Sequence, residues 1–241
     1  MTMHASKPTI SNKSRARIAP LEPGDRLTRD EFERRYAAMP ELKKAELIEG
    51  VVYMAPAVRW DSHGRPHADF MAWLGVYRAA TTGVVVGDNS SIRLDLDNEP
   101  QPDAAMIIEP SAGGQAKLTD DGYVEGAPEF VAEIAGSSVS IDMNDKLQAY
   151  LRNGAREYVV WRVYDEAIDY FILREGKYVP LTSSDGIVRS EVFPGLWLDV
   201  TALLRGDMAT VLRILQQGLG TPEHTEFVKR LESKRRASGG H

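Results

Sequence analysis

The alternation of apolar and polar residues predicts a chain in which helices and short strands follow one another. In the segment 66–80, Phe70, Trp73, Leu74 and Tyr77 recur at the spacing of one helix face. Short apolar runs bounded by Gly, Asp or Pro are typical of strands. The helices predicted on these grounds are 28–39, 66–80, 141–153, 208–217 and 222–236. The predicted strands are 51–55, 84–86, 91–96, 104–108, 130–135, 157–163, 168–173, 177–181 and 187–192.

The order of these elements indicates the fold class. Helices precede, interrupt and follow the strands, and the strands after 157 are close enough in sequence to form hairpins. We therefore expect an α/β (α+β) fold, with a mixed β-sheet flanked by helices and an added antiparallel β-hairpin region near 168–192. Residues 110–128 are rich in Gly, Asp and Ser, which predicts a long loop between two strands of the sheet.

Charge is distributed unevenly along the 241 residues. Residues 1–20 hold four Lys or Arg and no acid, and residues 229–241 hold five and one acid, so the net charge of −6 becomes −14 between these segments. We expect a basic flexible tail over 1–20, one domain over 21–207, and C-terminal helices with a basic tail over 208–241. The acidic middle disfavours a long footprint on a polyanion, so a nucleic-acid function needs a local basic groove, the basic tails or a bound metal.

The sequence lacks the features of a membrane protein. No run of 18 apolar residues is present, and the basic N-terminal segment has no hydrophobic core. We expect a cytoplasmic protein with no membrane partner. The chain has no cysteine, which excludes disulfide bonds and thiolate metal sites.

Two apolar strands are each predicted to carry an acid. Glu133 lies in the middle of the run FVAEIA at 130–135, and Asp103 directly precedes the run AAMII. An ionised carboxylate in a buried strand lowers the stability of the fold by roughly several kcal/mol unless a partner or a metal compensates its charge. The alternatives are a turn residue at Asp103 and, at Glu133, a buried ion pair with Arg156 or Arg162.

A lysine follows these strands on the next predicted helix. Lys146 lies four residues after Asp142 and four before Tyr150, so the three share one helix face. An Asp and a Lys at this spacing usually form a solvated surface pair. Together with the two acids, however, the lysine completes the parts of a divalent-metal site.

Three segments resemble a known family. They are QPD at 101–103, GAPEFVAEIAGSS at 126–138 and DMNDKLQAYLRNGAREYVVW at 142–161. Their order, spacing and residue types are similar to those of the Uma-two family of bacterial endonucleases, in the PD-(D/E)xK or restriction-endonuclease-like superfamily. The resemblance covers about residues 27–204 and implies a restriction-endonuclease-like domain over 21–207.

The resemblance implies a role for several residues. Asp103 and Glu133 correspond to the metal-binding acids, and Glu46 of the ELIEG string corresponds to a helix-borne glutamate that completes the metal site. Lys146 corresponds to a catalytic lysine that has moved from the strand to the following helix. His63 corresponds to the family histidine and is expected to contact the substrate.

Other positions are less defined by the resemblance. Tyr150 is expected near the substrate, and Glu49 is an alternative to Glu46 as the inward-facing glutamate. His67 has no counterpart and is expected on a helix surface. The family's S-P-S after the second acid is Gly136-Ser137-Ser138 here, which leaves the path of that loop open.

Phosphodiester hydrolysis suits this set of residues. It needs charge neutralisation at the phosphate and an activated water, and Mg²⁺ or Mn²⁺ held by carboxylates supplies both. The resemblance, with these residues, implies a metal-dependent endonuclease that acts on DNA. An exposed sheet edge and the apolar hairpin region near 168–192, together with the resemblance, predict a homodimer. Two other classes remain: an inactive binding or assembly module of the same fold, and, more distantly, a glycosidase with paired carboxylates.

Overall fold

The structure is a computed structural model that describes residues 18–54, 57–182 and 185–239. Apart from residues 18–20, the tail expected over 1–20 lies outside the described residues. None of the helices in these ranges combines the length and the apolar character needed to cross a membrane.

The described chain contains both helices and strands. The helices are α1 (Arg29–Tyr36), α2 (Arg65–Ala80), α3 (Val139–Ile141), α4 (Leu147–Asn153), α5 (Val200–Leu204), α6 (Met208–Leu219) and α7 (Pro222–Ser238). Two π-helical turns, Trp60–Gly64 and Asp142–Lys146, lead directly into α2 and α4. The strands are β1 (Ala45–Ile48), β2 (Val51–Met54), β3 (Val84–Asp88), β4 (Ile92–Arg93), β5 (Ala104–Ile108), β6 (Lys117–Leu118), β7 (Val124–Glu125), β8 (Phe130–Ala135), β9 (Glu157–Arg162), β10 (Ala167–Arg174), β11 (Lys177–Pro180), β12 (Ile187–Arg189) and β13 (Trp197–Asp199).

A mixed β-sheet forms the centre of the protein. Its strand order is β11-β10-β9-β8-β5-β3. The pairing of β8 with β9 is parallel, with α4 in the crossover between them, and the other four pairings are antiparallel. The mixed sheet flanked by helices and the added hairpin of β10 and β11 confirm the predicted fold class.

Both faces of the central strands are buried. Phe130, Ala132 and Ile134 of β8 belong to the main core with residues of α2, α6 and α7. The alternate residues Val131 and Ala135 pack on the opposite face, in a core with residues around α4. Because side chains alternate along a strand, Glu133 shares the α4 face of β8. Because both faces of β8 are buried, its sequence is a nearly continuous apolar run.

The structure corrects two predicted elements. The loop expected over 110–128 contains β6 and β7, which join β4 in a small sheet. The strand expected over 91–96 is reduced to Ile92–Arg93. Oδ1 of Asp95 accepts hydrogen bonds from the backbone of Asp97 at 2.9 Å and the side chain of Asn98 at 2.8 Å. This side-chain bonding closes a turn where apolar alternation alone predicts a strand.

The hairpin of β1 and β2 is attached to the rest of the protein at two places. Phe32 of α1 packs against Leu47 and Val52 in a separate small core. Leu47 also exchanges backbone hydrogen bonds with Glu99, at 3.2 and 2.8 Å. The segment that leads into β5 is therefore held beside β1, which positions the one strand relative to the other.

The Glu99 side chain is buried in a cluster of charges. Arg93 donates two hydrogen bonds of 2.9 Å to Glu33 of α1 and also binds Asp121. Among the described residues, none hydrogen-bonds with Oε2 of Glu99. Burial, followed by the adjacent carboxylate of Glu33, raises the pKa of Glu99 to about 8, although Arg93 opposes the rise.

We predict that Glu99 makes the protein less stable as the pH rises. Its pKa is higher in the folded state, at about 8, than its ordinary value of 4.5, so the folded state binds the extra proton between these values. The free energy of unfolding should therefore fall as the pH rises from 4.5 to 8. In Glu99→Gln this fall should be smaller than in wild type by a few kcal/mol, roughly. Urea unfolding at several pH values measures it. Exposed Glu41→Gln is the control, and equal pH profiles for Glu99→Gln and wild type would contradict the prediction.

Helix α6 approaches the β12–β13 hairpin at a glycine. A Cβ added at Gly218 would overlap the carbonyl oxygen of Gly195 and would lie 2.8 Å from Cγ of Trp197. Gly75 of α2, by contrast, is exposed and a Cβ there would meet nothing within 4 Å. The two helical glycines thus differ in the space around them.

We predict that alanine has opposite effects at these two positions. Gly75→Ala should raise the free energy of unfolding by about 0.5–1 kcal/mol, because alanine loses less backbone entropy in a helix. Gly218→Ala should lower it by about 1–3 kcal/mol, because the methyl group pushes α6 away from β13. Urea unfolding of both variants is the measurement, and stabilisation by Gly218→Ala would show that the helix moves freely at this contact.

Candidate active site

Asp103 directly precedes β5 and lies beside Glu133 of the neighbouring strand β8. The antiparallel register of β5 and β8 pairs Ala104 with Ala132, and continuing it by one step puts Asp103 opposite Glu133. Both acids are buried, and Oδ2 of Asp103 accepts a hydrogen bond of 2.8 Å from the backbone N–H of Ile134. Asp103 lies in a bend and is fixed by the strand that carries Glu133.

Glu46 joins these acids from β1. The expectation that it lies on a helix is wrong, because α1 ends at Tyr36 and Glu46 is in the strand Ala45–Ile48. Its Oε1 accepts a hydrogen bond of 2.7 Å from the backbone N–H of Gln101, two residues before Asp103. Glu49 lies outside the site: it is exposed and binds Arg152 at 2.7 Å. Glu46 is thus the inward-facing glutamate of the two.

Lys146 lies between the carboxylates. Its Nζ is 2.9 Å from Oε1 of Glu46, 3.0 Å from Oε1 of Glu133 and 3.5 Å from Oδ1 of Asp142. Lys146 is 4 % exposed and Glu133 is 2 % exposed. The partner of Glu133 is therefore Lys146. Arg156 and Arg162, the two alternatives, bind Gln115 and the pair Asp165 and Asp169 instead.

Asp142 and Lys146 do not form the solvated surface pair that is usual at this spacing. Asp142 is buried, its Oδ2 accepts a hydrogen bond of 2.5 Å from Ser138, and its carbonyl oxygen accepts one of 2.8 Å from Tyr158. The π-helical turn Asp142–Lys146 carries both residues at the start of α4. Such turns are rare and are often found at functional sites. This one is directed at the sheet rather than at solvent.

Tyr150 closes the buried side of the cluster. Its hydroxyl donates a hydrogen bond of 3.2 Å to Oε1 of Glu133, and its ring lies 5.1 Å from that of Tyr158, measured between centroids. Burial, followed by the charges of Glu133 and Glu46, raises the pKa of Tyr150 well above its usual range. The hydroxyl therefore remains protonated and donates to Glu133. It contacts a site carboxylate from within the core and not from an open surface.

Burial and charge act against each other on the central pair. Burial raises the pKa of Glu133 well above its usual range; Lys146 opposes the rise, and Asp142, Asp103 and Glu46 add to it. Burial disfavours the ammonium of Lys146, but Glu133, Glu46 and Asp142 outweigh this and raise its pKa. Lys146 is accordingly a permanent cation, and Glu133 is a carboxylate with a high proton affinity.

Three further cationic or polar groups contact Asp103 from the open side. Nε2 of His63 lies 3.5 Å from Oδ1 of Asp103, and Nδ1 lies 3.1 Å from the carbonyl oxygen of Ile134. His67 is partly buried, contrary to expectation, and its Nε2 lies 2.9 Å from the carbonyl oxygen of Asp103. Lys44 lies 3.3 Å from Oδ1 of Asp103.

The sequence did not predict Lys44 as a site residue, and it gave Asp142 no role beyond sharing a helix face with Lys146. The signal for Lys44 was its position two residues before Glu46, which puts both side chains on one face of an extended segment. Burial opposes the charge of Lys44, but Glu46, Asp103 and Glu133 raise its pKa. Lys44 is also more accessible than Lys146, since about a quarter of its side chain is exposed. It is the cation of this cluster that solvent reaches more readily.

The charges in the cluster are unequal. Glu46, Asp103, Glu133 and Asp142 carry four formal negative charges, whereas the two lysines carry two positive charges. Oδ1 of Asp142 is buried and has no hydrogen-bond partner among the described residues. Within the same ranges, no group of three or more His, Asp or Glu side chains is arranged so that it could hold a metal ion. The ammonium of Lys146 takes the central position among the carboxylates.

A sequence profile identifies the family of the protein. The sequence profile of the Uma2 family, described as "Putative restriction endonuclease", matches residues 29–201, and the chain belongs to this family. The resemblance inferred from the sequence is thereby confirmed.

A solved structure has the same fold. It is described as a putative nuclease belonging to DUF820 from Anabaena variabilis ATCC 29413, and it shares 14 % sequence identity with this chain at a TM-score of 0.54. The match covers 71 % of this chain and 96 % of that one. No curated protein sequence matches this chain.

We predict that two substitutions in the cluster change stability in opposite directions. Lys146→Met removes the ammonium shared by Glu46, Glu133 and Asp142 and should lower the free energy of unfolding by about 3–5 kcal/mol. Glu133→Gln removes one carboxylate from a cluster that has too many, so the metal-free protein should be as stable as wild type or slightly more stable. Urea unfolding in a chelating buffer measures both.

The double variant Lys146→Met/Glu133→Gln is the internal control. It should be more stable than Lys146→Met alone, because it leaves one fewer uncompensated carboxylate in the core. If Glu133→Gln alone instead costs several kcal/mol, the pair of Glu133 and Lys146 is a structural ion pair and not part of an acidic site.

Proposed function

We propose that the protein is a metal-dependent nuclease that hydrolyses phosphodiester bonds in DNA. The observation that carries this proposal is the meeting of Glu46, Asp103, Glu133 and Lys146 in a chain of the Uma2 family. Folding does not require three acids and a lysine from different elements to be buried together. Their burial costs stability, and such a cost is typical of functional sites.

The cluster has side chains of the type that binds a divalent cation, although among the described residues the carboxylates surround the Lys146 ammonium and are not arranged as a metal site. Two formal negative charges remain after the lysines are counted, and Asp142 has a buried oxygen without a hydrogen-bond partner among the described residues. Carboxylate oxygens suit Mg²⁺ or Mn²⁺, whereas zinc favours histidine or cysteine ligands. Asp103, Glu133 and Glu46 are the residues that would hold the ion. When bound, it would neutralise charge on the scissile phosphate and lower the pKa of a water molecule.

The protein's own side chains divide the remaining tasks. Lys146 is held in place by its contacts with Glu46, Glu133 and Asp142, so its ammonium is oriented before substrate binds. A fixed cation of this kind stabilises the charge that develops on the phosphate in the transition state. Tyr150 holds Glu133 by its hydrogen bond and is a positioning residue.

The groups on the open side would bind the substrate. Lys44 and His63 both contact Oδ1 of Asp103 and are more exposed than the acids. A partly exposed ammonium beside the site attracts phosphate, which offsets locally the acidic character of the whole chain. His63, predicted from the sequence to contact substrate, lies where a phosphate approaching Asp103 would meet it.

We predict that cleavage depends on Asp103 and Lys146 in different ways. With Mg²⁺ or Mn²⁺ at low salt, Lys146→Ala should cleave DNA about 10²-fold more slowly than wild type, because one electrostatic stabiliser is lost. It should still gain thermal stability from the metal. Asp103→Asn should lose both cleavage and the metal-induced rise in Tm. Assays on labelled single-stranded and double-stranded DNA, with melting curves of each variant, give these quantities.

Asp120→Asn, an exposed acid in the turn between β6 and β7, is the matched control and should behave as wild type. The folding of Lys146→Ala is checked by circular dichroism at the assay temperature. Equal activity in wild type, Lys146→Ala and Asp103→Asn would mean a contaminating nuclease. No cleavage of DNA or RNA by wild type would favour the non-catalytic binding module.

A further inference from the structure

A second set of side chains lies next to the acidic site and takes no part in it. Trp60 is 78 % exposed and Tyr164 is 66 % exposed. Single exposed apolar residues are common on protein surfaces, but these two line the same cleft. The aromatic cleft, as we call it, has a volume of about 350 Å³ and is lined by Arg59, Trp60, Asp61, Ser62, Val163 and Tyr164.

The walls of the aromatic cleft come from two elements that meet at the end of β8. Trp60 begins the π-helical turn that precedes α2, and Tyr164 lies in the turn between β9 and β10. The backbone N–H of Val163 donates a hydrogen bond of 3.1 Å to the carbonyl oxygen of Ala135, the last residue of β8. A Cβ added at Gly136 would lie 3.0 Å from the carbonyl oxygen of Ser62.

This close approach explains one departure from the family pattern. Where the Uma-two segment has serine, this chain has Gly136, and the missing side chain lets the turn of Ser62 lie against the end of β8. The same turn brings His63 to 3.5 Å from Asp103. One π-helical turn therefore serves both sites, with Trp60 in the cleft and His63 at the acids.

The cleft also holds one cationic side chain, Arg59, and one acidic side chain, Asp61. Hydrogen bonding with Ser62, and then the hydrogen bond and charge of Arg59, lower the pKa of the exposed Tyr164. The guanidinium of Arg59 thus lies close to the Tyr164 hydroxyl. Among the described residues that line the cleft, Asp61 is the one acid. Two accessible rings beside an arginine form the combination with which proteins bind unpaired nucleotides.

We propose that the aromatic cleft binds an unpaired base of the nucleic-acid substrate, stacked on Trp60 and Tyr164, with Arg59 at the adjacent phosphate. The proposal rests on the proposed nuclease function and adds the class of substrate. In a duplex, neighbouring bases cover both faces of each base, so stacking on a side chain requires a single strand or an unpaired nucleotide. The substrate is therefore single-stranded or locally unpaired next to the cleavage position.

The distance to the acids suits one strand. Val160 pairs with Glu133, and Tyr164 is four residues further along the same chain. Four residues of extended chain span about 13 Å from Val160, and Glu133 lies on the neighbouring strand about 4.8 Å to the side. A strand with about 3.4 Å between stacked bases covers this distance in a few nucleotides. The stacked base thus belongs to the same strand as the scissile phosphate.

The test uses the full chain with Asp103→Asn as the common background, so that binding is measured without cleavage. Adding Trp60→Ala should weaken binding of a fluorescently labelled single-stranded DNA 12-mer by about 10- to 100-fold, the factor expected for one base–aromatic stack. Trp60→Phe should recover most of the affinity. An unlabelled 12-mer should quench the tryptophan fluorescence of the background protein, which has Trp60, but not that of the Trp60→Ala and Trp60→Phe variants. Leu118→Ala, an exposed apolar residue outside the cleft, is the matched control and should bind as the background does.

The outcomes separate this inference from the nuclease proposal. If Trp60→Ala in the Asp103→Asn background binds the 12-mer as tightly as the background alone, and the wild-type protein cleaves DNA, the inference is wrong and the nuclease proposal stands. If Trp60 governs binding but the wild type cleaves nothing, the inference stands and the nuclease proposal fails. A change in sedimentation mass by Trp60→Ala without a change in affinity would make the cleft a contact between two copies of the chain. Tighter binding of a blunt duplex than of the single strand would also overturn the inference.

Discussion

The ammonium of Lys146 is the interaction on which the rest of the site depends. It contacts carboxylates from β1, from β8 and from the start of its own helix, and each of these acids is buried. Separately, each acid would be a costly unpaired charge. Together around one cation they can be ionised in the core, because the cation offsets part of their repulsion. The hairpin of β1, the central sheet and α4 are thereby connected through a single side chain.

The sequence predicted the sheet better than it predicted the position of the site's outer residues. The continuous apolar runs of β5 and β8 identify strands with two buried faces, and an acid directly before the first run and one within the second identify Asp103 and Glu133. Those signals are local. Lys44 contacts Asp103 from 59 residues earlier in the chain, and its one local signal, the position two residues before Glu46, does not say what it contacts. Only the docking of the hairpin beside β5 decides where it lies.

The sequence leaves open which way the start of α4 faces. Spacing of four residues puts Asp142 and Lys146 on one helix face, but it does not say which way that face points. The structure turns the face inward through a π-helical turn, where Ser138 and Tyr158 hold Asp142. The other π-helical turn, before α2, likewise points a residue at the acids, since it carries His63. Sequence period alone cannot predict these turns, because they insert into an otherwise regular helical pattern.

The contacts of the site also differ in the sequence separation of the residues that they join. Glu133 and Lys146 are separated by 13 residues and belong to one strand–helix crossover, whereas Glu46 is bound by Gln101 across 55 residues. Closing a short loop loses less chain entropy than closing a long one, so local contacts form more readily during folding. The crossover can therefore bring its lysine and glutamate together before the N-terminal hairpin arrives with Glu46 and Lys44. A chain that has folded only in part lacks both of these groups, so the full set of acids and lysines exists only in the completed molecule.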